Sequence, residues 1–272
     1  MNTDFELILN GLGGRVACFA LSASREESQE DSASLLDLNG DVVFPAASLA
    51  KVPILVTLAR QLAKSSTHTW ETQVEVSEAA RVPSDGVLAD LSPAFRPTIH
   101  DLAHLMITIS DNTAANVLLD LVGMETVNAT MRELHLHSTR LERRFIDFEA
   151  RKAGRDNWTT AADMALLLGH IYLGHIPERE RLLKILLRQN DYKILPAYWG
   201  EDVPFAHKTG GLEGVMHDAG ILFHEPDDQR VLIVAALTAE QADIPFTQLT
   251  LARLGRSLRE NWLKDIQRIK EQ

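Results

Sequence analysis

Ala219-Gly220-Ile221-Leu222-Phe223-His224-Glu225-Pro226-Asp227-Asp228-Gln229-Arg230-Val231-Leu232-Ile233-Val234-Ala235-Ala236-Leu237-Thr238 is the stretch on which the fold turns. Two apolar runs, Ala219 to His224 and Arg230 to Thr238, flank a polar segment containing a proline, the signature of a hairpin. Arg15 to Ala23 and Ser34 to Leu38 repeat the pattern at the other end of the chain, around the charged loop Ser24-Arg25-Glu26-Glu27-Ser28-Gln29-Glu30-Asp31. Residues 3 to 12, with Phe5, Leu7, Ile8 and Leu12 ahead of Gly13-Gly14, predict a short helix with a glycine stop. Phe246, Leu249, Leu254, Leu258, Trp262 and Ile266 recur at helical steps and predict a long C-terminal helix. From residue 48 to about 190 the pattern is mostly helical, as in Leu102 to Leu121 and Ala161 to Leu173, with no second sheet evident. Strands at both ends with helices between predict an α/β (α+β) fold. One antiparallel sheet is built from both termini, in a sandwich of residues 1–47 and 196–272, and a helical lobe of residues 48–195 is inserted. A functional cleft is expected where the lobes meet.

Composition narrows the function. The 272 residues are 45% hydrophobic and 24% charged, with a net charge of -11. That is a globular composition without the basic footprint that nucleic acid or an anionic membrane surface requires, so an anionic substrate must be met by specific cations. No run of 18 apolar residues exists. Cys18, the sole cysteine, sits in an apolar strand pattern, so no internal disulfide can form. The first residues, Met1-Asn2-Thr3-Asp4-Phe5-Glu6-Leu7, lack the features of a secretory signal, and a cytoplasmic location is the expectation, with export the alternative if a signal has been removed ahead of Met1.

Three short strings follow one another in the chain: Ser48-Leu49-Ala50-Lys51, Ser110-Asp111-Asn112 and Lys208-Thr209-Gly210. Pro45-Ala46-Ala47-Ser48 reads as a loop entering a helix, which places the Ser48 hydroxyl at a positive helix N-terminus. Residues three apart share a helix face, so the Lys51 amine can reach that hydroxyl, and a desolvated lysine can act as its general base. Pro53 fits either the first turn of the helix or a kink beyond it. Ser110 to Asn112 reads as a loop between helices. Ser110 could relay a proton to a leaving group and the Asn112 amide could hold a substrate amide, while Asp111 braces the turn. Lys208-Thr209-Gly210-Gly211 suits a strand edge, where Lys208 and Thr209 attract a carboxylate or carbonyl and the backbone N–H groups of Ser48 and Gly211 form an oxyanion hole. The ordinary alternatives are a helix cap at Ser48, a surface charge at Lys51, a cap at Ser110-Asp111 and a turn at Lys208 to Gly210. Each is reasonable alone; the ordered trio favours one acyl-enzyme site.

At these residues the chain resembles the penicillin-recognising serine hydrolases, most closely the class A β-lactamases. Phe44-Pro45 ahead of Ser48, the SDNTAAN run from Ser110 to Asn116, and Thr159-Thr160-Ala161-Ala162-Asp163-Met164-Ala165 all look like class A segments. The resemblance implies a three-layer α/β/α sandwich with an antiparallel sheet and a helical lobe. It also implies Ser48 as nucleophile, Lys51 as base, Ser110 as proton relay, Asn112 as substrate and lysine anchor, and Lys208 with Thr209 as the carboxylate-facing pair. The activity implied is β-lactam hydrolysis, with esterase or D,D-peptidase action and non-turnover binding of β-lactam or peptidoglycan fragments as alternatives. The partner would be a small molecule (β-lactam, ester or D-Ala peptide), with no cofactor and no metal. His100 and His104, four apart on a helix, lack a third ligand that would make a metal site.

Two departures stand out. Class A enzymes carry a deacylating glutamate in an Ω-loop segment reading Leu-Asp-Arg-Trp-Glu-Pro-Glu-Leu-Asn, where this chain reads Leu141-Glu142-Arg143-Arg144-Phe145-Ile146-Asp147-Phe148-Glu149. Matched on Leu141 and Arg143, the glutamate position falls on Phe145, which can neither take a proton nor orient water. Asp147 or Glu149 is the candidate replacement, and Arg143 with Asp156 a candidate loop closure. Many class A enzymes also place an arginine nine residues after the lysine of the third string; here His217 stands there, a weaker carboxylate partner.

Overall fold

The computed structural model describes residues 2–26, 33–83, 86–200, 202–224 and 230–271. Both predicted hairpin loops fall wholly or largely outside them, at 27–32 and 225–229. The strands themselves form as the patterns require. A short helix α1 (Asn2–Leu9) leads into β1 (Arg15–Ser24) and β2 (Ala33–Leu38). The chain returns to the same sheet with β5 (Phe205–Leu212), β6 (Val215–Phe223) and β7 (Arg230–Ala239), and closes with α9 (Ile244–Lys270). The antiparallel sheet runs β2-β1-β7-β6-β5, so the first and last strands of the chain, β1 and β7, pair at its centre with Arg15 opposite Ala239 and Ser24 opposite Arg230.

The near-continuous apolar character of β7 follows from burial on both faces. Val231, Ile233, Ala235 and Leu237 join the core shared with the helical lobe. Leu232, Val234 and Ala236 face the second core, with Phe5 and Leu9 of α1 and Leu251, Leu254, Leu258 and Trp262 of α9. Alternation with period two therefore supplies both cores from one strand.

Between the sheet halves come β3 (Phe44–Pro45), α2 (Lys51–Leu62), α3 (Ile99–Thr108), α4 (Asn112–Val122), α5 (Met124–Glu133), α6 (Phe148–Lys152), β4 (Trp158–Thr159), α7 (Ala161–Tyr172) and α8 (Arg179–Leu186). A second, two-stranded sheet does exist: β3 pairs with β4, Phe44 opposite Thr159 and Pro45 opposite Trp158. Two-residue strands leave no periodicity to read, which is why the pattern missed it. The apolar run from Leu102 to Leu121 is two helices. α3 carries a Thr98/Asp101 capping box, and Asp111 caps α4 by accepting from Ala114 N at 2.9 Å. α7 lies across the sheet face, packed on β7 and β1, and completes the third layer.

Candidate active site

Ser48 lies in a 3-10 turn, Ala47–Ala50, that feeds directly into α2 at Lys51. Pro53 occupies the first turn of α2, where its missing N–H has no partner within the helix to lose, and the helix continues through it to Leu62. The tight turn is held under strain: Ala47 has φ +47°, a left-handed value that costs a non-glycine residue about 1–2 kcal/mol. Gly210 of β5 makes room for this turn. A Cβ there would lie 3.4 Å from Ala47 Cβ and 3.3 Å from His217 Cδ2, so the strand packs closely against the Ser48 turn at this position.

Four acceptors converge on Lys51 Nζ: Ser48 Oγ at 3.0 Å, Ser110 Oγ at 2.8 Å, Ser110 O at 2.6 Å and Asn112 Oδ1 at 2.7 Å. Ser110, at φ +59°, turns both its hydroxyl and its carbonyl toward the amine. Lys51 is fully buried, whereas Ser48, Ser110 and Asn112 are partly open to the cleft. Burial first, then the charge of Lys208, pushes the Lys51 ammonium well below the ordinary lysine range, with Asp111 pulling the other way.

Ser110 donates its proton to Ser48 Oγ at 2.8 Å. Ser48 Oγ thus accepts from both Lys51 Nζ and Ser110 Oγ, so two groups able to exchange a proton with it stand within 3.0 Å.

Asp111 takes no part in this set. It is buried, capping α4 and accepting from Leu88 N at 2.8 Å, so it braces the turn that presents Ser110 and Asn112. Lys208 is also fully buried; its Nζ donates to Thr209 O at 2.8 Å, and burial, countered by Asp218 and Asp191, brings its pKa down to about 7. Behind it, on the opposite face of the sheet, His207 Nδ1 and Asp218 Oδ1 pair at 2.8 Å. Thr209 and Ser110 share the wall of a cavity of about 270 Å³ with Ile109, Asn190, Asp191 and Lys193. Gly211 stands one residue beyond Gly210 on the edge strand that packs against the Ser48 turn.

Two expectations need correction. His217 is fully buried, with Nε2 2.8 Å from Pro45 O and Nδ1 accepting from Thr238 N at 3.1 Å. Both ring nitrogens are engaged by backbone and burial drives its pKa to about 4, so it is a neutral strut between β3 and β7 and not a carboxylate ligand. Asp147 and Glu149 are also engaged elsewhere. Asp147 caps α6 through Ala150 N at 2.9 Å, and the exposed Glu149 pairs with Lys152 at 2.7 Å.

The loop position opposite Lys51 belongs to Phe145, whose ring centroid lies 4.8 Å from Nζ. Asn116 clamps the Phe145 backbone from both sides, accepting from its N–H at 2.9 Å and donating to its carbonyl at 3.2 Å. The loop is closed behind it by the buried Arg143–Asp156 pair at 2.7 Å, and Asn157 Oδ1 accepts from Glu142 N and Arg143 N. The sequence reading assigned no role to Asn116. Its spacing from Asn112, one helical turn on the same face of α4, was the available signal.

Residues 10–262 match the model of a family described as the beta-lactamase enzyme family. A beta-lactamase of Streptomyces fradiae is 30% identical over 237 residues, spanning 81% of this chain and 74% of its own length. The beta-lactamase regulatory protein BlaB of Streptomyces cacaoi is 24% identical over 276 residues, spanning 83% of this chain and 88% of its own. Among solved structures, a beta-lactamase from Sphaerobacter thermophilus superposes with a TM-score of 0.79 at 28% identity, covering 94% of this chain and 93% of that one. A PBP-A variant, solved as an acyl-enzyme complex with penicillin G, superposes with a TM-score of 0.83 at 27% identity, covering 96% of each.

Proposed function

The chain belongs to the beta-lactamase enzyme family and is a serine hydrolase related to the class A enzymes, and from that membership we propose that it is acylated at Ser48 by β-lactams and releases the acyl group slowly. The observation that carries this reading is the Phe145 ring 4.8 Å from Lys51 Nζ, in the loop where the family resemblance expects a glutamate.

Acylation uses groups already in hydrogen-bond contact. Neutral Lys51 takes the Ser48 proton as Oγ attacks the ring carbonyl, and the backbone N–H groups of Ser48 and Gly211 meet the developing oxyanion. Collapse breaks the carbon–nitrogen bond. Ser110 then passes its proton to the leaving nitrogen and is reprotonated from the Lys51 ammonium, so no net proton is lost. Lys208 and Thr209 face the substrate carboxylate.

Deacylation requires a water and a base poised on the ester. An aromatic ring supplies neither: Phe145 is buried against Lys51 and carries no group that could orient or deprotonate a water. The Ser48 ester should therefore persist. Small esters and D-Ala peptides would enter by the same chemistry.

A second reading follows from the same ring: occupancy itself is the output, as in a β-lactam or peptidoglycan-fragment sensor. The likeness to a protein named as a beta-lactamase regulator supports it. Intact-mass spectrometry after penicillin G, followed over time beside hydrolysis of a chromogenic cephalosporin and a short-chain ester, tests both. A stable adduct with little hydrolysis supports slow release; rapid turnover without an adduct overturns it. No adduct and no ester cleavage, with Ser48→Ala indistinguishable from the native protein, would remove the acylation reading as well.

A further inference from the structure

Far along α7 from its Thr160 cap, the sequence His170-Ile171-Tyr172-Leu173-Gly174-His175 ends the helix. Gly174 takes φ +82°, and the reversal it permits brings His175 N onto His170 O at 3.0 Å and Gly174 N onto Ile171 O at 3.3 Å. This is a Schellman cap, whose geometry places the side chain after the glycine against the one five residues earlier, normally as an apolar contact. Here both partners are imidazoles. Their Nδ1 atoms lie 3.0 Å apart, and their ring centroids 5.3 Å.

His170 Nε2 makes a long hydrogen bond of 3.4 Å with Leu134 O. A carbonyl can only accept, so Nε2 carries the proton and the His170 lone pair sits on Nδ1, facing its neighbour. Orientation of one ring nitrogen by a backbone carbonyl, leaving the other free, is the supporting arrangement of a metal-ligating histidine. Two nitrogens at about 2.0–2.1 Å from one metal lie about 2.9 Å apart at a right angle and about 3.4 Å apart at a tetrahedral angle. The observed separation is close to the right-angle value.

We infer that His170 and His175 form a two-imidazole chelate for a divalent transition metal, with Cu(II) as the preferred ion. Cu(II) accepts tetragonal nitrogen and oxygen donors and binds such sites more tightly than Ni(II) or Zn(II). Among the described residues no third histidine, cysteine or carboxylate joins the pair in a metal-holding group, so water completes the sphere. Without metal, His175 Nδ1–H donates to His170 Nδ1. On binding, that proton moves through solvent to His175 Nε2, both Nδ1 lone pairs turn to the metal, and no proton is gained or lost. Arg60, whose charge reaches His170, is paired with Glu133 at 2.8 Å, which offsets its repulsion of a cation.

The site is separate from Ser48, so its fate is independent of the acyl-enzyme reading. The protein is titrated with Cu(II) alone in a non-chelating buffer, by calorimetry and electron paramagnetic resonance. The expected result is one equivalent bound through two imidazole nitrogens, uptake weakened roughly 100-fold by His175→Ala, and no change in His104→Ala. His175 is exposed, so its removal leaves the core intact. Undiminished uptake by His175→Ala, loss of uptake in His104→Ala instead, or no uptake by the native protein would each overturn the assignment.

Discussion

The two walls that meet over Lys51 are built on opposite principles. On the α2–α4 side, Ser48, Ser110 and Asn112 surround the amine with hydrogen-bonding oxygen, each within 3.0 Å. On the loop side, held as firmly by Asn116, stands the ring of Phe145. One wall offers hydrogen-bonding oxygens to the amine and the other an aromatic ring with neither donor nor acceptor, the contrast on which the proposed slow release rests. Precision is similar on both sides, so the apolar wall is a built feature and not a loose end. Positioning and chemistry are thus separable: the clamp from Asn116 acts on the backbone of residue 145 and is indifferent to its side chain.

The largest effect expected tests the polar wall. Ser48→Ala should lower formation of the penicillin adduct by about 10⁴-fold or more, because nucleophile and base act as a unit; mass spectrometry reads this directly. A variant that still acquires the adduct would move the nucleophile elsewhere. The apolar wall is tested by Phe145→Glu, which should shorten the adduct lifetime by about 10²-fold or more by supplying a general base at a position the Asn116 clamp already holds. An unchanged lifetime would show that the loop blocks water by more than this ring.

Next comes pH. Lys51 must be neutral to accept the Ser48 proton, so acylation should rise with pH through its lowered pKa, well below the ordinary lysine value. Lys208, with a pKa of about 7, loses its charge above that pH. Capture of a carboxylate-bearing β-lactam should accordingly weaken above pH 7, by roughly tenfold where one charge-assisted contact is lost, while an uncharged ester shows no such fall. Parallel pH profiles of KM for the two substrates would expose the difference, and matching profiles would detach Lys208 from the carboxylate. The smallest effects belong to the carboxylates outside the walls. Asp147→Ala should cost about 1 kcal/mol in denaturant unfolding through loss of the α6 cap. Glu149→Gln should stay within about 0.5 kcal/mol, and neither should alter adduct lifetime.

Much of the site was legible because helical spacing is a local property: Ser48 and Lys51 are three apart, and a turn entering a helix brings them together whatever lies around them. The central strands were legible for a similar reason, since burial on both faces leaves an unmistakable apolar run in β7. His217 misled because residue number counts along a strand, not across it. Its side chain turned inward to backbone groups of β3 and β7, partners 172 and 21 residues away in sequence. Asp147 and Glu149 misled because a carboxylate near a reactive segment looks the same whether it caps a helix or meets solvent. The β3–β4 pair was too short to leave any pattern.

The amino-acid order by itself determined which groups are available: a serine and lysine on one turn, a hydroxyl and amide in a second loop, a lysine on a glycine-containing strand, and phenylalanine in place of an acid at 145. Tertiary structure decided what those groups are. Burial of Lys51 beside Lys208 lowers the pKa of its ammonium, because desolvation and a neighbouring positive charge penalise the charged form. The Asn116 clamp makes Phe145 a wall of the site. Both depend on contacts between segments dozens of residues apart, which only the folded chain brings within hydrogen-bond range.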